Sequence, residues 1–250
     1  MISIKAIGRR GNNLFQYAFG RILAEKLGYA MEIAESPYQL EVKEFKNAAL
    51  LNGRRIPELV TVGDEYTLDQ LVDLATTKDS GILLNGFWQK QHYYWDRRSE
   101  IKEWFRIESS HRYSLTPDDW VIHIRHEDYL ESKLQLSPRY YDRCLEYRKD
   151  LSRVFVVGKD LSKEVRDDYR RRHGAIVVDT GSDLADFTLL RDANNIVVAN
   201  SSFSWWAAFL SQAERVFAPL PTHGYWSPGQ DQRLQIPGFH TIVEDDNTPR

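Results

Sequence analysis

From residue 120 onward, short apolar runs alternate with stretches that carry their apolar residues at helical spacing. Strands are expected at 120–124, 154–157, 175–178, 196–199 and 215–218, with helices at 138–149, 162–172, 184–192 and 203–211. Strands alternating with helices of this length predict a parallel, doubly wound sheet. Ser137-Pro138 makes a good helix opening, a cap residue followed by Pro at the first helical position.

The first hundred residues carry the same rhythm less regularly. A strand at 2–7 runs into a helix at 12–27, whose apolar face (Phe15, Phe19, Ile22, Leu23, Leu27) ends at Gly28. Further strands are expected at 31–34 and 82–84, with a helix at 68–75 capped by Thr67 and a helical stretch at 93–105. Residues 36–55 have no clear period and read as loop with short elements of uncertain type. The polar patch 108–117 separates two αβ halves, taken as domains 1–110 and 111–250. The tail 244–250 is polar and expected to fray.

Composition narrows the class without naming a chemistry. A chain of 250 residues with 42% hydrophobic content fills one large core or two small ones. A net charge of −3 gives no basic bias toward nucleic acid or anionic lipid, and the run Arg170-Arg171-Arg172 reads as a solvated helix face. The single Cys144 excludes an intrachain disulfide and a Cys-based zinc site and fits a reducing compartment. Its surroundings favour a buried helical thiol over a nucleophile. No segment approaches 18 consecutive apolar residues, and the sequence opens directly on a strand, so neither a membrane span nor a signal peptide is expected.

Three places carry candidate chemistry. In the first, the apolar run 196–199 meets Asn200-Ser201-Ser202 and then Ser204 at the start of a helix. Backbone N–H groups, hydroxyls and the positive end of a helix dipole together suit a phosphate, although Ser and Asn also cap helices for stability alone. In the second, His123 and Arg125 share one face of a strand that gives way to His126-Glu127-Asp128. A guanidinium there can fork onto phosphate oxygens. The third is the turn Gly8-Arg9-Arg10-Gly11-Asn12-Asn13, whose glycines allow backbone to approach a ligand and whose asparagines can cap the helix or donate outward. It lacks both the dinucleotide fingerprint and the P-loop ending.

Taken in order, these segments resemble the α-1,2-fucosyltransferases of glycosyltransferase family 11. GRRGNNLFQYAFG is similar to their GRLGNQxFQYA signature, HIRHEDYL to HxRRGDY, and DFTLLRDANNIVVANSSFSWWAAFL to their third motif. Leu84-Asn85-Gly86-Phe87-Trp88-Gln89 followed by Tyr93-Tyr94-Trp95 resembles their GYWQ…YF block. The resemblance runs from residue 8 to about residue 220 with the motifs in register. The chain departs from it at His126-Glu127, where the family has Arg-Gly, and at Asn13, where the family has Gln.

The resemblance implies an α/β, GT-B-like fold: two Rossmann-type halves facing across a cleft, the N-terminal one abbreviated and on the acceptor side, the C-terminal one binding the nucleotide sugar. It implies an inverting transferase moving fucose from GDP-fucose to a galactoside hydroxyl in an α-1,2 linkage. No cofactor is expected, and no Asp-x-Asp occurs, so the reaction is expected to be metal-independent. A cluster of His123, His126 and Asp128 is an alternative metal site that the positive Arg125 opposes. The expected partners are GDP-fucose or a related nucleotide sugar and an oligosaccharide acceptor; the expected compartment is the cytoplasm. The candidate catalytic residues are Arg125, Asp128 and Asn12. Candidate donor contacts are Gly8, Gly11, His123, Arg125, Asp186 (on the guanine edge, or merely complementing a helix dipole), Asn200, Ser201, Ser202 and Ser204. Asp128 and Glu127 are the choices for a base, or ion-pair partners of Arg125. Trp205 and Trp206 stack on ligand or fill the core, and Phe87 to Gln89 are candidates for an acceptor-facing role. Two readings stay open beside this one: a same-fold transferase using another activated sugar, suggested by His126-Glu127, and a non-catalytic sugar or nucleotide binder.

Overall fold

The N-terminal sheet is built outward from β1 (Ile2–Ile4), whose three side chains are all buried. Helix α1 (Arg10–Leu27) follows and packs against it through Phe15, Phe19, Ile22 and Leu23. Gly20 sets how closely: a Cβ there would lie 2.6 Å from Ile4 Cδ1 and 3.4 Å from Leu84 Cδ1. The helix stops where expected, at Gly28, which takes a left-handed φ of 67° and returns its N–H to Ala24 and Glu25 carbonyls. Strands β2 (Met31–Ile33), β3 (Leu59–Val62) and β4 (Gly81–Leu84) complete a parallel sheet in the order β2-β1-β4-β3. Helix α2 (Leu68–Lys78) opens with a full capping box between Thr67 and Gln70, and α3 (Arg98–Trp104) closes the unit. The structure, a computed structural model, describes residues 1–37, 39–125, 135–149, 151–220, 234 and 236–243. The chain divides into two units, Met1–Ile107 and Glu108–Arg250.

The second unit centres on β5 (Trp120–His123), with every residue buried. It is followed by α4 (Pro138–Leu145), β6 (Val154–Val157), α5 (Lys163–His173), β7 (Ile176–Val177), α6 (Asp183–Asp192), β8 (Asn195–Val197), α7 (Ser202–Leu210), β9 (Arg215–Leu220) and β10 (His240–Val243). All pairings are parallel, in the order β10-β9-β8-β5-β6-β7. One face of this sheet buries Trp120, Tyr140, Tyr141, Cys144 and Phe217 together. Burial pushes the Cys144 thiol up to about 12, so it is inert packing. In the charge run on α5, Arg170 pairs with Asp167 and Arg171 with Asp168 within the helix, while Arg172 pairs with Asp168 and also with Asp142 of α4.

These are two Rossmann-type α/β units of a GT-B-like chain, the first with a four-stranded and the second with a six-stranded sheet. Several local expectations change. Helix α1 begins at Arg10, before the asparagines, and its N-cap Arg9 makes no side-chain cap bond, so neither Asn12 nor Asn13 caps it. The helix expected at 93–105 is kept as α3 over Arg98–Trp104, while its start is replaced by two single 3-10 turns, Gln91–Tyr93 and Trp95–Arg97. Tyr93 and Tyr94 are turned there toward ring contacts, Tyr93 on Phe19 and Tyr94 wholly buried against Phe15. Helix α4 ends at Leu145, four residues before the expected 149. Strands β3 and β10 were not expected. The tail 244–250 lies outside the described residues.

Gly20→Val should force the α1–β1 contact apart or push Ile4 off its rotamer. The expected cost is about 1–3 kcal/mol, read as a lower unfolding midpoint. An unchanged midpoint would show that this contact does not fix the spacing.

Candidate functional site

In an open parallel sheet, ligands bind beyond the carboxyl ends of the strands where neighbouring connections diverge to opposite sides. In the second unit that place is between β5 and β8. The chain passes from β5 to β6 and β7 on one side, and from β8 to β9 and β10 on the other. Trp120 pairs with Asn195 and Ile122 with Val197; the same register carried past the strands sets Arg125 level with Asn200. Two of the segments singled out in the sequence thus flank one crevice.

The β8–α7 turn is held mainly by its own polar groups. Ser201 is the N-cap of α7 and accepts from the Phe203 N–H at 3.3 Å. Ser204 Oγ accepts from the Ala199 N–H at 3.2 Å and lies 3.4 Å from the Ser201 carbonyl. Its hydroxyl is therefore occupied in shaping the turn. Asn200, Ser201 and Ser204 are all buried, while Ser202 is half-buried at the first helical position. Trp205 and Trp206 are both completely buried; Trp205 stacks on Phe209 and donates Nε1 to the Leu234 carbonyl at 2.7 Å. Both are core, where the sequence left a ligand role open.

His123 closes the other side. Its ring lies 5.4 Å from that of Phe203, which in turn packs 5.4 Å from Phe187. That aromatic chain links β5, α7 and the residue next to Asp186. Burial, reinforced by the Arg125 guanidinium, lowers the His123 pKa to about 3, so the imidazole is neutral at physiological pH. Its Nδ1 is buried with no hydrogen-bond partner among the described residues. Asp186 accepts from Thr180 Oγ1 at 2.7 Å, and burial raises its pKa despite that bond, with Asp183 and Asp179 adding to the rise. A carboxylate held this way has lost hydration that N–H donors of a ligand would replace. Among the described residues no group of His, Cys, Asp and Glu is arranged to hold a metal ion. Asp128, with His126 and Glu127, lies outside the described residues.

Gly8, Gly11 and Asn12 belong to the first unit and lie past the carboxyl end of β1, where Gln16 and Asn12 tie the start of α1 to the connection after β4. Gly8 has φ 78°, and a Cβ there would collide with Asn12 Nδ2. Asn12 Oδ1 accepts from Gln89 Nε2 at 2.9 Å. Two fully buried amides support this arrangement. Asn13 donates to the Ile7 carbonyl at 3.3 Å and accepts from the Glu41 N–H at 3.0 Å. Gln16 accepts from Asn13 Nδ2 at 3.1 Å and donates to the Gly86 carbonyl at 2.9 Å. Asp64 was missed from the sequence; its Oδ1 receives the N–H groups of Phe87 and Trp88, each at 2.7 Å.

Comparison with known proteins gives these two constellations a context. The family model described as glycosyl transferase family 11 matches residues 68–223. The chain is 22% identical to an alpha-1,2-colitosyltransferase of Escherichia coli, over 89% of this chain and 91% of that protein. It is 25% identical to galactoside alpha-(1,2)-fucosyltransferase 2 of Sus scrofa, over 87% of this chain and 72% of the relative. Among solved structures it is similar to a variant of Arabidopsis thaliana FUT1 in complex with GDP. There the TM-score is 0.52 at 10% identity, covering 87% of this chain and 69% of that one.

The buried imidazole makes a prediction about acid stability. An unfolded His takes up a proton near pH 6.5, while His123 in the folded chain resists it down to about pH 3. The unfolded state therefore gains protons first, and folding stability falls as pH drops through that interval. The slope from this residue approaches about 1.4 kcal/mol per pH unit. His123→Leu should flatten the acid limb of the stability curve; denaturant midpoints measured from pH 7 to pH 4 check it, and parallel curves for both proteins would refute it.

Proposed function

The chain belongs to glycosyl transferase family 11, and from that premise we propose that it transfers fucose from GDP-fucose to a galactoside hydroxyl. The proposed product is an α-1,2 linkage formed with inversion and without a metal. The observation that carries this proposal is the placing of Arg125 and the Asn200–Ser202 turn on either side of the β5/β8 crevice. Relatives named for α-1,2 transfer of fucose and of colitose, and a solved relative of the same fold in complex with GDP, support the donor and the linkage.

The chemistry follows from what breaks. Cleaving the sugar–phosphate bond leaves negative charge on the nucleoside diphosphate while the sugar becomes oxocarbenium-like. Fixed donors must meet that charge as it develops. Arg125 supplies a permanent planar cation, and the first N–H groups of α7 supply donors at the positive end of a helix dipole. The neutral His123 beside them adds no charge but offers a ring nitrogen for a ligand hydroxyl or phosphate. Asp186 takes the N–H edge of guanine, which offsets the cost of its burial. The acceptor hydroxyl loses its proton to a carboxylate, for which Asp128 is the proposed base, with Asn12 orienting the acceptor.

The second reading keeps the fold and changes the sugar. The colitosyltransferase relative supports it, since that protein is named for a sugar other than fucose. Release of GDP from GDP-fucose, compared with UDP-linked and other GDP-linked sugars, separates the two. A chain that binds GDP yet releases none from any donor would instead be a binder.

Arg125→Ala should reduce transfer at least about a hundredfold, the equivalent of roughly 3 kcal/mol in transition-state stabilisation. Arg125→Lys should recover part of it, because a fork becomes a point charge. Wild-type turnover in the Ala variant removes Arg125 from the mechanism. Transfer should also survive excess chelator. Loss on chelation, restored by manganese or magnesium, would overturn metal independence and redirect attention to His123 with His126 and Asp128.

A further inference from the structure

The connection after β4 is the most over-determined piece of backbone in the first unit. Trp88 has a left-handed φ of 50°, a conformation that costs a bulky residue energy and persists only where its surroundings enforce it. Four contacts enforce it here. Phe19 stacks on the Trp88 indole at 4.9 Å, with the ring planes 8° apart. The buried Tyr94 hydroxyl donates to the Trp88 carbonyl at 2.6 Å, and Gln16 holds the preceding Gly86 carbonyl. The fourth is Asp64, whose single oxygen caps two successive N–H groups.

Three of these contacts come from buried residues and read as packing. Asp64 is different: it is exposed, contributes nothing to the core, and reaches across from the turn after β3. Gly86 lets it approach, since a Cβ there would lie 2.5 Å from Asp64 Oδ1. The connection it fixes presents two half-buried side chains, Phe87 and Gln89. Gln89 has its Nε2 tied to Asn12, which orients the carboxamide, and its Oε1 makes no hydrogen bond among the described residues. An aromatic ring and an oriented amide oxygen two residues apart on one connection suit a sugar, with an apolar face for the ring and an acceptor for a hydroxyl.

We propose that Asp64 is a positioning residue that holds the Gly86–Gln89 connection so that Phe87 and the Gln89 carboxamide receive the acceptor sugar. This rests on the transferase function proposed above. The two N–H groups need an oxygen in the right place more than they need a charge. Asp64→Asn, which keeps an oxygen there, is therefore the rescue variant, and Asp64→Ala is the test.

Steady-state kinetics with GDP-fucose and lactose decide it, alongside calorimetric titration of GDP. Asp64→Ala should raise the KM for lactose about tenfold or more, leaving GDP affinity and the KM for GDP-fucose within about twofold of wild type. Asp64→Asn should lie close to wild type. Equal weakening of donor and acceptor, a loss confined to kcat, or unchanged kinetics in the Ala variant would each overturn the proposal. If wild type turns over no donor, the functional proposal fails separately, and lactose binding followed by NMR then decides. Binding weakened by Ala and kept by Asn upholds the positioning role, and no lactose binding to wild type overturns it. Should Asp64→Ala not fold, Gln89→Ala must show the same selective rise in the lactose KM or the proposal falls.

Discussion

The parallel pairing of β5 between β6 and β8 is the constraint on which the second unit turns. Parallel strands in register bring all their carboxyl ends to one edge, and the helices that follow bring their N-termini to the same edge. Once Trp120 is paired with both Val154 and Asn195, the places of Arg125, the Asn200 turn and the start of α7 follow from chain geometry. No side-chain contact among them is needed to gather them. The burial of Trp120, Val121 and Ile122 that locks this strand is thus also what aims the candidate segment that follows it.

Burial has an electrical consequence at the same edge. His123 sits at the end of a strand with no solvent to support a charge, next to a guanidinium that opposes one. Among the described residues the candidate site therefore pairs a guanidinium, Arg125, with a neutral imidazole, His123. What these two residues offer an anionic ligand is then a fixed charge from Arg125 alone, and that contribution does not change over the physiological pH range.

How much of this was legible in the sequence depended on how local each signal was. Thr67 with Gln70, Gly28 and Pro138 each act within one turn of helix, and each marks a boundary that the structure keeps. The alternation in the second half carried the parallel sheet. Strand β3 was missed because Leu59–Val62 is short, has a single buried residue, Val62, and is preceded by Pro57-Glu58. The helix expected at 93–105 forms over Arg98–Trp104, but its first part is 3-10 turn, where the ring contacts of Tyr93 and Tyr94 override helical spacing. Asp64 was invisible for a different reason. Its partners lie 23 and 24 residues further along, and nothing beside it in the chain hints at them.

The motif residues themselves divide by what their polar groups do. Asn13 and Ser204 look like ligand residues on paper, yet with Gln16 their polar groups are occupied in holding backbone that would otherwise be buried without partners. This bears on the departure at position 13, where the resembled family has Gln. Asn13 is fully buried and bonded to the Ile7 carbonyl, to Gln16 and to the Glu41 N–H. A side chain one methylene longer or shorter there alters the bracing of a turn and not the set of groups offered to a ligand. The two departures from the family therefore carry unequal weight. That at Asn13 falls on scaffolding, whereas that at His126-Glu127 follows in sequence directly on Arg125, the residue proposed to meet the donor's charge.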